Sequence, residues 1–156
     1  MIDRLLPRLS GYIGHLKLFV LGAILAGVAE LPLGGWIQIP ILGIIWWQIT
    51  KHQTASFGSI FFLGMSFGLG YFVLGLWWIF ISLHDIGGMN VMLSCTAVFL
   101  LAGLLAIFFA CASLTLHFSK GLFFPSLLLA SSWVATEYLR GILFTGFPWM
   151  GLGETQ

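Results

Sequence analysis

The chain has 156 residues, of which 60% are hydrophobic and 7% charged, and its formal net charge is +1. Soluble domains carry about 25% charged residues, so this composition excludes a water-soluble globule and predicts an all-α integral membrane protein with no soluble domain. The small net charge and the lack of a basic patch exclude nucleic acid as an expected partner.

Uncharged runs divide the sequence into about five predicted transmembrane helices, since a spanning helix needs about 20 mainly apolar residues. The predicted spans lie near residues 16–33, 35–50, 59–83, 90–116 and 122–139. The first is long enough only if Lys17 and Glu30 reach opposite membrane surfaces. One broken hairpin that returns to the same side is the alternative for the first two runs. A cleaved signal peptide is disfavoured because no Ala-x-Ala site follows.

The positions of the cations predict the orientation in the membrane. Five of the six basic residues fall in segments that would share one side: Arg4, Arg8, Lys17, Lys51 and Lys120. The positive-inside rule makes that side cytoplasmic, so the N-terminus is predicted inside and the C-terminus outside. Arg140 is the exception. Glu137 precedes it by three residues, which makes the two helical neighbours and predicts an ion pair.

Small and aromatic residues indicate how the helices pack and where they end. Gly64 and Gly68 form a G-x-x-x-G pair, and Gly75 follows on the same face, so these glycines are predicted to let helices approach closely. Tryptophans lie near predicted span ends, as in an interfacial belt: Trp36, Trp46, Trp47, Trp77, Trp78 and Trp149.

Few residues have the spacing of a catalytic or metal site. The histidines occur singly near span ends, at His15, His52, His84 and His117, so no metal and no cofactor are predicted. Cys95 and Cys111 are sixteen residues apart in one apolar run, or about 24 Å along a helix, and cannot form a disulfide there. We interpret them as packing residues. His84 and Asp85 are either an acid–base pair or an interfacial polar loop.

Charges at membrane depth are costly unless they are paired or face water. For Glu137 and Arg140 we expect a structural ion pair that fixes the end of the fifth span. Glu30 is either a solvated turn residue or part of a proton or ion pathway.

The residues after Arg140 predict irregular backbone. Glycines and a proline recur through 141–153, which disfavours a straight helix and predicts a re-entrant or irregular segment. Its aromatic residues form a surface suited to an acyl chain, and an ordinary interfacial loop is the alternative. The candidates for a lipid groove, or for a scaffold element, are Phe144, Thr145, Gly146, Phe147, Pro148 and Trp149.

Two tracts resemble the membrane part of bacterial apolipoprotein N-acyltransferases. Residues 136–141 read Thr-Glu-Tyr-Leu-Arg-Gly, and 144–149 read Phe-Thr-Gly-Phe-Pro-Trp. Residues 67–82, with their glycines and the Trp77-Trp78 pair, are similar to that family's third helix, and Gly87-Gly88-Met89 follows as a family loop does.

The resemblance implies an enzyme of the bacterial inner membrane that transfers an acyl chain from phospholipid to the N-terminal amine of diacylglyceryl-cysteine lipoproteins. It also implies a Glu-Lys-Cys triad in a nitrilase-like domain, and no residue of this chain stands in those motifs. No catalytic residue is therefore assigned, and the nitrilase-like domain is expected to be absent.

Residues 153–156, Gly-Glu-Thr-Gln, depart from the family pattern, and a truncated or split chain that is inactive alone is expected. A second chain would then carry the nitrilase-like domain. The alternatives are a stand-alone multi-spanning scaffold or small transporter that uses Glu30 and the Glu137–Arg140 pair, and a nonfunctional gene fragment.

Overall fold

The computed structural model describes residues 2–31, 34–51, 55–119 and 124–143, with side chains from residue 11 onward. These residues form six α-helices and no strand, which agrees with the predicted all-α membrane protein. The helices are α1 (Ile2–Ala29), α2 (Gly34–Thr50), α3 (Phe57–Gly75), α4 (Trp77–Ile81), α5 (Val91–Phe118) and α6 (Pro125–Ile142), and a π-helical turn (Ser82–Ile86) follows α4.

Three described helical stretches are long and apolar enough to cross a bilayer: Gly11–Ala29, Phe57–Gly75 and Val91–Phe118. Helix α2 has 17 residues with Pro40 inside it, and α6 carries Glu137 and Arg140 near its end. The count of five spans and their orientation therefore stay predictions.

Helix α3 is the centre of the described fold, with α1 on one side and α5 on the other. Helix α6 packs on α5, and α2 packs mainly on α1. Buried apolar side chains such as Leu25, Phe67 and Leu105 fill the interfaces, whereas many large apolar side chains face outward. Lipid is the natural solvent of such an outer surface.

The structure divides the predicted span 59–83 into shorter segments. Helix α3 ends at Gly75, and Leu76 has φ −94° and ψ 12°, outside the helical region. Glycine is a weak helix former, which is consistent with a break at this point. After the π-helical turn the chain needs a left-handed residue, and Gly88 provides it with φ 67°.

The first and last predicted spans also differ from the observed helices in their bounds. Helix α1 begins at Ile2 rather than near residue 16, and it ends at Ala29. Helix α6 begins with Pro125 in its first turn, where the missing N–H costs little, and it continues to Ile142. Gly141 is therefore helical, and most of the predicted irregular segment 141–153 lies outside the described residues.

Candidate functional site

The predicted lipid-groove residues, Phe144, Thr145, Gly146, Phe147, Pro148 and Trp149, lie outside the described residues. The structure does describe α6, the helix that leads to them. Its last turns contain Glu137 and Arg140, so the surroundings of these two side chains indicate how that end of the helix is held.

Arg140 is buried at the end of α6, with 3% of its side chain exposed. Its Nη2 lies 4.0 Å from Oε1 of Glu137, whose side chain is 22% exposed. The guanidinium also lies 5.1 Å from the ring centre of Phe72 on α3, a cation–π distance. The end of α6 is thus attached to α3 through a charged side chain.

Aromatic rings surround this attachment. Phe72 stacks on Phe109 of α5 with centroids 5.4 Å apart, and Phe109 lies 4.2 Å from Trp133 of α6. Phe67 contacts both Phe109 and Trp133 at 5.3 and 5.4 Å. The cluster joins α3, α5 and α6, and its rings are almost completely buried.

The predicted packing glycines occupy different places. A Cβ at Gly64 would overlap Ser113, and one at Gly68 would come within 2.8 Å of the Cα of Ala106, so both face α5 at very close range. Gly75 is the last residue of α3 and lines a cleft beside α1 and α4.

A second close interface, between α1 and α3, was missed by the sequence interpretation. A Cβ at Gly70 would overlap the carbonyl group of Phe19, and one at Gly22 would overlap the carbonyl oxygen of Phe67. The sequence does contain a pattern that could have indicated this interface, a second small-x-x-x-small pair in α3 formed by Ser66 and Gly70. Gly70 is two positions after Gly68, a rotation of about 200° around the helix, so the two rows face opposite neighbours.

Polar side chains supplement these interfaces. The Nδ1–H of His15 on α1 donates to Oγ of Ser66, 3.0 Å away, because the Ser66 hydroxyl itself donates to the carbonyl oxygen of Phe62. On the other side, Oγ of Ser132 on α6 lies 3.1 Å from the carbonyl oxygen of Ala112 and 3.0 Å from Oγ1 of Thr115. Hydrogen bonds of this kind link helices in lipid.

The described residues hold two open cavities near α4. One of about 340 Å³ is lined by Glu30 and by residues of α1, α3 and α4. The other, of about 430 Å³, is an apolar groove between α3, α4 and α5 that includes Val73, Phe80 and Phe99. Trp77 lines both.

Glu30 lines the cleft of about 340 Å³, whereas Glu137 and Arg140 lie elsewhere, beside Phe72 and Phe109, so the structure gives no support to a transporter that uses them together.

The remaining titratable residues show no catalytic arrangement in the described part of the chain. The Nδ1–H of His84 donates to the carbonyl oxygen of Met89 over 2.8 Å, which holds the loop before α5, and its Nε2 lies 3.9 Å from Asp85. Cys95 and Cys111 are free and exposed on α5. No group of three metal-binding side chains occurs among the described residues.

Comparison with known proteins identifies the family. Residues 22–156 match the apolipoprotein N-acyltransferase N-terminal domain. The apolipoprotein N-acyltransferase of Nitrosomonas europaea is 33% identical over 152 residues, which cover 95% of this chain and 30% of the relative. That of Haemophilus ducreyi is 37% identical over 142 residues, which cover 88% of this chain and 26% of the relative. That of Coxiella burnetii is 41% identical over 97 residues, which cover 60% of this chain and 20% of the relative.

The chain therefore spans less than a third of the length of these relatives. The family match extends from the second half of α1 through every later described helix. It includes the Glu137–Arg140 pair and both glycine rows of α3. The chain belongs to the apolipoprotein N-acyltransferase family and corresponds to the N-terminal, membrane-embedded part of that enzyme.

Proposed function

We propose that this chain is the membrane-embedded part of an enzyme that transfers an acyl chain from phospholipid to the N-terminal amine of diacylglyceryl-cysteine lipoproteins. The match of residues 22–156 to the family's N-terminal domain is the observation that carries the proposal. The site of action is the outer face of the bacterial inner membrane. The charge distribution supports an orientation with the N-terminus inside and the C-terminus outside, because most cations would then face the cytoplasm.

The chemistry of such a transfer proceeds in two steps. A cysteine thiolate attacks the lipid ester and releases a lysophospholipid, and the lipoprotein amine then attacks the resulting thioester to form an amide. Cys95 and Cys111 do not suit this role, because both are exposed on the apolar surface of α5. The resemblance to the family implies that a nitrilase-like domain supplies the nucleophile, on this polypeptide or on a second one.

We propose that the described helices hold in place the segment Phe144–Trp149, for which the sequence predicts an acyl-chain groove. Arg140 supports this role, because it is buried against Phe72 and Glu137 only a few residues before that segment. The aromatic cluster gives α6 a fixed position on α3 and α5.

A chimera tests the proposal. Residues 1–156 replace the corresponding part of the Haemophilus ducreyi relative, and the N-terminal peptide of a lipoprotein is examined by mass spectrometry in cells that lack their own enzyme. We expect N-acylation to be restored. The Cys95→Ala/Cys111→Ala chimera is the matched control and should acylate equally well.

The 156-residue chain by itself should form no thioester with radiolabelled phospholipid. A labelled thioester on Cys95 or Cys111, or a folded chimera that never acylates, would contradict the proposed division of roles.

A further inference from the structure

The chain between α3 and α5 is bounded by two residues whose backbone departs from helical geometry. Leu76, between α3 and α4, has φ −94° and ψ 12°, and its side chain is completely buried. Gly88, after the π-helical turn, has φ 67°, a value that few other residues adopt. Residues at the ends of elements that absorb changes of φ and ψ are the usual hinges of proteins. Residues 77–86, which lie between these two points, are called the α4 segment below.

The α4 segment is held together internally but exposes most of its surface. The hydroxyl of Ser82 donates to the carbonyl oxygen of Trp78, and the N–H of Gly87 donates to the carbonyl oxygen of Ser82. Among the residues that the structure describes, none of 77–86 is buried. Segments with few buried apolar contacts open at a low cost in free energy. The α4 segment is therefore expected to move as a unit while α3 and α5 keep their positions.

Open space lies on two sides of α4. The apolar groove of about 430 Å³ separates it from α5, and α4 contributes Trp77 and Phe80 to that groove. The cleft of about 340 Å³ separates it from the end of α1, and α4 contributes Trp77, Trp78 and Ile81 to that cleft. Close-packed interiors resist displacement, whereas the described side chains leave both of these spaces open. A rotation of α4 toward α5 would narrow the groove and widen the cleft.

A side-chain hydrogen bond fixes the α4 segment to the start of α5. The Nδ1–H of His84 donates to the carbonyl oxygen of Met89 over 2.8 Å, and Asn90, the next residue, caps α5. The His84 ring lies 5.4 Å from that of Phe80, which stacks on Trp77 with centroids 4.9 Å apart. The aromatic side chains that α4 contributes to the groove are thus connected to His84.

We propose that the α4 segment rotates between Leu76 and Gly88, so that the groove narrows as the cleft widens, and that the hydrogen bond from His84 to Met89 holds the observed position. π-Helical turns are frequent at functional sites, which is consistent with a moving part here. The inference goes beyond the proposed function, because this movement requires no acyl transfer. It also gives His84 a role other than the acid–base pair or the interfacial polar loop considered from the sequence.

Crosslinking between two thiols of the purified full chain tests the proposal. Cys111→Ala leaves Cys95, which lines the groove on α5, and Phe80→Cys places a second thiol on α4 at the same groove. A short bifunctional methanethiosulfonate reagent joins the two thiols, and intact-mass spectrometry follows the joined chains against time. Adding His84→Ala should increase the rate of joining about fivefold, because the released segment approaches α5 more often. A factor of this size is expected for the loss of one hydrogen bond.

Two controls separate the hydrogen bond from a general loosening of the protein. His84→Asn keeps an N–H donor close to the position of Nδ1, so it should leave the rate unchanged. Val73→Cys in place of Phe80→Cys puts the second thiol on α3, at the same groove but before the hinge. In that chain His84→Ala should not change the rate.

A second substitution tests the movement without altering His84. Gly27 lines the cleft on α1, and a phenylalanine side chain there would occupy space that α4 needs in order to move away from α5. Gly27→Phe should therefore increase the rate of joining between Cys95 and the thiol at position 80, although the substitution lies in the cleft and the thiols lie in the groove. This variant decides the matter if circular dichroism shows that His84→Ala is misfolded.

Equal rates of joining with and without His84→Ala would overturn the proposal. An equal increase in the Val73→Cys chain would also overturn it, since the whole bundle would then have loosened. An unchanged rate in Gly27→Phe would show that α4 does not couple the cleft to the groove, and would contradict the rotation. Failure of the chimera to acylate lipoproteins would contradict the proposed function and leave these crosslinking rates intact.

Discussion

Gly70 shows how much depends on a single missing side chain. Its backbone lies against the carbonyl group of Phe19, so a methyl group there would separate α1 from α3. We predict that Gly70→Ala lowers the free energy of unfolding by about 1–3 kcal/mol, the usual cost of overpacking. Reversible unfolding in mixed micelles, followed by circular dichroism, measures the change.

Gly103→Ala on α5 is the matched control for that substitution. A Cβ at Gly103 meets no heavy atom within 4 Å, so the methyl group would enter open space. This variant should unfold as the wild-type chain does. An equal loss of stability in both variants would mean that helix propensity or lipid contact causes the loss. The close approach of α1 and α3 would then not explain it.

Arg140 is a second residue with a large expected effect. Arg140→Ala removes the partner of Glu137 and the cation above Phe72, and we expect a loss of about 3 kcal/mol, as for breaking a buried ion pair. The same unfolding assay applies. In a double-mutant cycle with Glu137→Gln, the double variant should lose less than the sum of the single losses. Strict additivity would show that the two side chains do not interact.

Among the elements, α6 is held by polar as well as aromatic contacts. The hydroxyl of Ser132 lies within hydrogen-bond distance of the carbonyl oxygen of Leu129 in its own helix and also of Ala112 and Thr115 on α5. The hydroxyl of its neighbour Ser131 donates to Leu127 within α6. We predict that Ser132→Ala costs about 0.6 kcal/mol, a typical value for an interhelical hydrogen bond in a membrane. Ser131→Ala, the control, should cost less. Unfolding of both variants tests the difference, and equal losses would contradict it.

The helices themselves were largely predictable, because uncharged runs determine where apolar segments lie. The Gly64–Gly68 row was also readable from one helix alone. The α1–α3 contact could not be predicted in the same way. It depends on which of the two rows of small residues in α3 faces Gly22, and a single sequence does not specify that choice. The break at Leu76 was missed since the surrounding residues, including Trp77 and Trp78, remain uniformly apolar.

The site was less predictable than the fold. The proximity of Glu137 and Arg140 follows from their spacing, but contact of Arg140 with Phe72 requires the tertiary arrangement of α3 and α6. Likewise, nothing in the spacing of Glu30 and Trp77 indicates that they line one cleft. Helical periodicity relates residues within one helix, whereas these contacts join residues more than forty positions apart.

For the molecule as a whole, the predicted orientation can be measured by cysteine labelling. In a Cys95→Ala/Cys111→Ala background, Ile86→Cys should react with a membrane-impermeant maleimide in intact spheroplasts, because Ile86 is 82% exposed in the turn expected outside. Ala55→Cys, before α3 and near Lys51, should react only after permeabilisation. The opposite pattern, or equal reactivity of both positions, would contradict the orientation.

The central position of α3 affects the order in which helix contacts form while the protein is synthesised and inserted into the membrane. Helix α1 is already synthesised when α3 enters the membrane, so its Gly22 can meet Gly70 at once. The partners of Gly64 and Gly68 lie on α5 and emerge later. A nascent chain that stops before Val91 would therefore expose the Gly64–Gly68 surface of α3 to lipid. We expect such incomplete chains to associate with one another through this surface.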